Sequence, residues 1–293
     1  MSAATQAADG AAPIRRFETL RRFARNRLAV FGAAIILLLV VACVVGPSLV
    51  PYTELQLDMR NRFQRPFAGP HLLGADELGR DQLARLLMAG RISLSVGILS
   101  MLIAVVVGTV VGIVAGFHGG ILGDALMRFV DAVLCFPTIF LLLTLAALIS
   151  PSVTTIIVIV ALTAWMEVAR ITQGQIKSLR EREFVAAAVA SGSTPLRIMF
   201  RELLPNVMGP IMVVATLIVA RGILLESYVS YLGYGIQPPV PSWGNMLEKA
   251  QQYLTTAPHL AILPGLMITL AVASFNFVGD GLRDAFDPRS MND

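Results

Sequence analysis

The run Ile92–Phe117, ISLSVGILSMLIAVVVGTVVGIVAGF, carries no charged residue over 26 positions. Roughly 20 apolar residues suffice for a helix to cross the hydrocarbon core of a bilayer. The run shows no period-2 alternation, so it reads as a membrane-spanning helix and not as a barrel strand. Within it Gly108, Gly112 and Gly116 recur at four-residue spacing. Small residues so spaced let two helix backbones approach closely, which predicts that this face packs on another helix.

Three further uncharged runs flank it: Leu28–Val50 over 23 residues, Ala132–Met166 over 35 and Leu260–Gly279 over 20. Ser150-Pro151 divides the longest run, which predicts helices near 121–149 and 152–169. Val207–Leu225 adds another span, interrupted by Arg221. The expectation is an all-α integral membrane protein with six transmembrane helices. Charged residues make up 14% of the chain, against about 25% in soluble domains, too few to coat a soluble surface.

The charges orient the chain. Arg15, Arg16, Arg21, Arg22, Arg25 and Arg27 precede the first span, and Arg170, Lys177, Arg180, Arg182, Arg197 and Arg201 lie between the fourth and fifth. Basic residues concentrate on the cytoplasmic side, which predicts an N-in, C-in topology. The loop 51–91 holds six arginines on the predicted outer side, together with Glu54, Asp58, Asp76, Glu77 and Asp81; loops of this length constrain orientation weakly. The net charge of +4 is thus placed for membrane lipid and not for nucleic acid.

The organisation follows. Residues 1–27 form a cytoplasmic tail, polar and disordered over 1–13, then basic and amphipathic over 14–27. The first span covers 28–50, and the outer loop 51–91 ends in a helical stretch, Arg80–Arg91. Residues 92–282 form a five-helix core containing a cytoplasmic elbow, 170–206, and an irregular outer loop, 229–257. A cytoplasmic tail, 283–293, closes the chain.

Catalysis finds no support. His71, His118 and His259 are far apart, and no metal-ligand spacing, Gly-x-Ser-x-Gly elbow or P-loop occurs around the two lysines, Lys177 and Lys249. No catalytic residue, metal or cofactor is therefore expected on this chain, and any ATP that drives it is bound elsewhere. Cys43 and Cys135 read as small buried hydrophobes. Val40–Cys43 resembles a lipoprotein cleavage site, but the apolar run continues to Val50 and five spans follow, so it is read as uncleaved.

The elbow is more informative. Glu181–Ser191 reads as a short helix ended by Gly192. Ser193 or Thr194 caps a second helix with Pro195 in its first turn, and Pro205 marks that helix's end. Several charges fall in or near spans. Asp124, Arg128 and Asp131 share one helix face at i, i+4 and i+7, Glu167 and Arg170 close the fourth span, and Arg221 and Glu226 interrupt the fifth. Two readings stand: a polar pathway lining, or ion pairs that fix helix packing, with Asp124–Arg128 as one such pair; the second is preferred. On the outer side, Asp76, Glu77 and Asp81, and the proline-rich loop carrying Trp243 at the membrane interface, either receive a soluble partner or merely seal the pathway.

Glu183-Phe184-Val185-Ala186-Ala187-Ala188, then Gly192, then Glu202-Leu203-Leu204-Pro205 resembles the EAA signature of binding-protein-dependent ABC importer permeases. It departs from that signature at Ala186, where a glutamate is usual, and at Glu202, where an isoleucine is. Three stretches are similar to the C-type subunit of the dipeptide/oligopeptide/nickel permeases: His71–Asp81, Leu232–Gly244 and Gly279–Arg289. The resemblance implies a type I ABC importer permease in the bacterial inner membrane. Its partners would be a second homologous permease, two cytoplasmic ATPases holding ATP and magnesium, and an external solute-binding protein. Glu183, Ala186, Ala187, Ala188, Gly192, Leu204 and Pro205 would couple it to an ATPase. The solute would be a di- or oligopeptide, with nickel, a glutathione-like molecule or a sugar as alternatives. An ion-coupled secondary transporter is a competing reading, and a membrane-bound enzyme a weaker one.

Overall fold

The computed structural model describes residues 16–286. The polar segment 1–13, Arg15 and the motif end at Pro288 and Arg289 lie outside the described residues.

Helix α1 (Arg16–Arg25) leads into α2 (Arg27–Leu49), whose first turn is capped by Asn26, accepting from the Ala29 amide at 3.1 Å. Helix α3 (Gln82–His118) is 37 residues, about 55 Å long, well beyond the membrane thickness. The stretch expected as a separate helix at Arg80–Arg91 is its first part, begun by Asp81, which accepts from the Ala84 amide at 2.7 Å. After a glycine turn at Gly119 and Gly120, both at positive φ, come α4 (Gly120–Leu134) and α5 (Thr138–Leu148).

These two meet at 81°, so the helix expected over 121–149 is broken. Pro137 lacks an amide hydrogen and its ring obstructs the carbonyl one turn back, which ends α4. Helix α6 (Val153–Arg180) extends eleven residues past the expected end at 169. Helix α7 (Glu183–Ala190) and α8 (Pro195–Arg197) form the elbow; a π turn, Ile198–Leu203, then joins α8 to α9 (Leu204–Tyr231). Pro205 was expected to end a helix. It lies instead within a continuous one, because the wider π turn leaves carbonyls free of the pairing that a proline would otherwise break. Helix α10 (Trp243–Ala250) orders part of the loop expected to be irregular, and α11 (His259–Phe286) follows.

Five of these elements are long and apolar enough to span a membrane, and the bent α4–α5 pair makes a sixth if counted as one crossing. The described residues contain no strand beyond one isolated bridge, Ala75–Asp81.

Helix α3 is the spine, and its glycines set the packing. A Cβ added at Gly112 would stand 2.6 Å from both the Ala169 carbonyl oxygen and Thr172 Cβ of α6. One added at Gly116 would stand 2.8 Å from Ile176 Cβ. The stripe thus packs on α6 as expected. Higher on α3, Gly97 faces Ile223 and Val219 of α9. Leu39, Cys43, Leu86, Ala89, Ile223 and Trp243 form the core that joins α2, α3, α9 and α10. Cys43 is buried as expected; Cys135, at the α4–α5 break, is exposed.

Candidate functional site

Three groups of residues bear on function, the first being the elbow. Arg180 Nη1 donates to the Phe117 carbonyl at 2.6 Å, tying the end of α6 to the end of α3. Three residues on, Glu183 opens α7 with a negative charge at the helix N-terminus, where it is favoured. Gly192, at φ +74°, stands just past the helix. Its amide donates to the Val189 carbonyl at 2.9 Å and the Ser193 amide to that of Ala188 at 3.1 Å. This pair of bonds is the Schellman ending of a helix, which requires a left-handed residue at Gly192. Thr194, the second of the two expected caps, accepts from the Arg197 amide, with Pro195 at the next position.

Val185 alone among the residues of α7 is buried, against Ile113, Ile176, Ile198 and Leu203. Glu183, Ala186 and Ala187 are exposed, Ala188 is half-buried, Leu204 joins the same cluster and Pro205 is exposed. Phe184, Val189, Leu196 and Phe200 are also exposed, Leu196 to 65%. Helix α7 therefore packs on the spans through Val185, with Ala188 beside it, and leaves Phe184 and Val189 exposed on either side. Large apolar side chains left exposed beyond the spans mark an interaction surface.

The second group lies at the opposite end of the bundle, the far side. Asp76 accepts from the Leu78 and Arg80 amides at 2.9 Å and from Arg80 Nε at 2.7 Å, while Arg85 Nε stands 3.4 Å away. His71 Nδ1 is 2.9 Å from Asp81. The Asn61 amide, donating to Asp58 at 2.8 Å, holds that carboxyl below the ordinary carboxylate range. The sequence leaves Asp76 and Asp81 open to two readings, meeting a soluble partner or sealing the pathway, and the structure fits the second. Both are buried, fold their own loop, and leave only Glu77 partly open, in an ion pair with Arg80. Trp243 corrects its expected place. It is fully buried beneath α3, its Nε1 donating to the Leu86 carbonyl at 3.1 Å, and it is no interface belt residue. The reason is the Ser242–Asn245 capping box, which starts α10 and turns Trp243 inward. Trp243→Ala is expected to destabilise the protein by about 3–5 kcal/mol, the usual range for emptying an aromatic core site. Thermal unfolding in detergent checks this, and an unchanged Tm would mean that the cap does not depend on the indole.

The third group is charged and lies within the spans. Asp124 and Arg128 are both exposed and form no ion pair with each other among the described residues, contrary to the i, i+4 expectation. Pairing runs between helices. Asp131 of α4 meets Arg170 of α6, and Arg221 Nη1 of α9 donates to Glu167 of α6 at 2.5 Å. Glu226, expected to interrupt the span beside Arg221, turns the other way and is fully buried. Ser93 and Ser230 each donate to it at 2.8 Å. The Ser93 oxygen in turn accepts from the Trp243 amide at 3.2 Å, which couples the carboxylate to the far-side cap. Sequence spacing missed this network because its members lie up to 150 residues apart.

Residues 108–292 match the family described as binding-protein-dependent transport system inner membrane component, and residues 16–66 match the N-terminal TM domain of oligopeptide transport permease C. The chain is 38% identical over 270 residues to the oligopeptide transport system permease protein OppC of Haemophilus influenzae, covering 92% of this chain and 87% of that one. It is 39% identical to the OppC of Salmonella typhimurium over 92% and 89% of the two. A chain from the inward-facing MetNI methionine ABC transporter superposes with a TM-score of 0.55, covering 69% of this chain and 96% of that one. At 20% identity that likeness speaks for the fold alone.

Proposed function

The chain belongs to the binding-protein-dependent transport system inner membrane components, and from that membership we propose that it is a permease subunit of an ATP-driven oligopeptide importer. It is a multi-pass membrane protein and carries the transport path, while ATP is hydrolysed by partner subunits. The family works with ATPase and solute-binding partners. A second homologous permease, two ATPases with their ATP and magnesium, and one external binding protein complete the assembly proposed here.

The observation that carries the reading is the apolar surface that the elbow exposes, Phe184, Val189 and Leu196, around the buried Val185. Such a surface beyond the spans has no use in lipid and suits docking into an ATPase groove. Closure of an ATPase pair would then swing α7 about Gly192 and switch access through the spans. The elbow side, on this reading, is cytoplasmic, as are both chain ends. Oligopeptide is the solute assigned because both OppC relatives carry that description over nearly their whole length.

The test places single cysteines at Ala187 and Leu196 in the assembled importer. Each is expected to crosslink to an ATPase subunit, and Val189→Asp to lower uptake about tenfold or more by putting a charge in an apolar contact. Labelling of these positions only from outside the cell would overturn the docking and the orientation together.

A further inference from the structure

Side chains exposed along the spans sort into two kinds. Over the middle of α2 and α3 they are mostly aliphatic, among them Leu37, Val41, Leu102 and Val106. On α9 the exposed residues Arg221, Leu224, Tyr228 and Tyr231 follow at intervals of three, four and three, which places them on one face. Arg221 lies ten residues before the far end of α9, about 15 Å along the axis, so its position is deep in the membrane. The paired side chains remain open, Arg221 at 56% and Glu167 at 35% exposure.

From this pair a ladder of charges descends to the elbow side. Arg170, one turn along α6 from Glu167, meets Asp131, and Arg128 and Asp124 follow down the same face of α4. The signs alternate from Arg221 through Glu167, Arg170, Asp131 and Arg128 to Asp124. Three positive and three negative groups sum to zero.

Charges at this depth as a rule face a water-filled cavity or a protein neighbour and not lipid tails. Helix packing does not need them. Helices α6 and α9 already meet through Val168, Val214 and Ile218, and Gly222 lies close against Val160. Exposed ion pairs add little to such contacts.

We propose that this ladder lines the elbow-side half of the solute pathway, and that Glu167 and Arg221 at its head bind the free ammonium and carboxylate ends of a peptide. The proposal rests on the reading of the chain as a peptide permease. A zwitterionic peptide suits the ladder because each of its ends can replace one member of an ion pair without leaving a charge unpaired. The guanidinium fork of Arg221 matches a carboxylate in two parallel hydrogen bonds. Alternation below the pair offers the same exchange at every step, so the peptide moves without falling into one deep site. Leu224 and Tyr228 beside the pair supply apolar contact that does not discriminate among peptide side chains. A simple cation or anion would gain nothing from a lining of zero net charge.

The experiment uses the complete importer in proteoliposomes, with Cys43→Ala and Cys135→Ala as background. Leu224→Cys is expected to react with both cationic and anionic methanethiosulfonates, while Leu102→Cys on the aliphatic face reacts with neither. Adding Arg221→Gln is expected to raise the cationic-to-anionic rate ratio about tenfold, since a local charge at close range is removed. Tri-alanine taken up per ATP hydrolysed is expected to fall about tenfold in Arg221→Gln and in Glu167→Gln, the usual loss for a charged hydrogen bond. No labelling at Leu224→Cys would mean that lipid or the second permease covers this face, and would overturn the proposal. Labelling with unchanged tri-alanine uptake in both variants would overturn the binding of peptide ends. A Leu224→Cys importer that labels normally with Arg221 and Glu167 intact, yet takes up no tri-alanine, would remove the peptide reading itself and, with it, the assignment of this pair.

Discussion

Replacing Gly112 by leucine is expected to remove nearly all folded protein from the membrane. The added Cβ would stand 2.6 Å from the Ala169 carbonyl, a backbone atom that cannot rotate away. Relief requires α3 and α6 to part, and these two helices make the longest contact of the bundle. Overpacking a tight site costs about 1–3 kcal/mol and more where the neighbour is rigid. Gly174 of α6 is the matching control, since nothing lies within 4 Å of a Cβ there. Gly174→Leu should leave abundance and Tm near those of the wild type. Equal abundance of the two variants in purified membranes would sink the view that the glycine stripe holds α3 against α6.

Gly192→Val is expected to lower ATP-driven uptake by about tenfold or more while the complex stays assembled. Space is not the issue, because a Cβ at this position meets nothing within 4 Å. Conformation is. The φ of +74° lies in the left-handed region, where a β-branched residue is strained by about 1–3 kcal/mol. The Schellman bonds would yield before the spans do, so α7 would lose its angle while Val185 keeps it attached. Gly192→Asn separates conformation from side-chain bulk, since asparagine tolerates this region. Uptake near normal in the asparagine variant and low in the valine variant supports the account. Wild-type uptake per ATP in the valine variant would show that the elbow's angle does not carry the coupling.

The turn of the elbow was legible residue by residue, though its far end at Pro205 was not. Gly192, Thr194 and Pro195 act through their own backbone preferences, which one stretch of sequence contains in full. For the far-side acids the sequence left docking and sealing open, for the opposite reason. Asp76 and Asp81 are polar residues in a loop, which sequence alone allows to be exposed or buried. The loop closes on itself around Arg80, Arg85 and His71, and burial is affordable because each carboxylate meets several donors.

The sequence by itself determined the helical membrane class, the glycine stripe that packs and the ending of α7, because length, charge and backbone preference are local quantities. Only the tertiary structure decided that Asp131 pairs with Arg170 and Arg221 with Glu167, that Glu226 turns inward to serines, and that Trp243 is core. Those outcomes depend on which faces of distant helices meet. Among charges inside a membrane every partner of opposite sign is attractive, so proximity created by packing selects the pair and spacing along one helix does not.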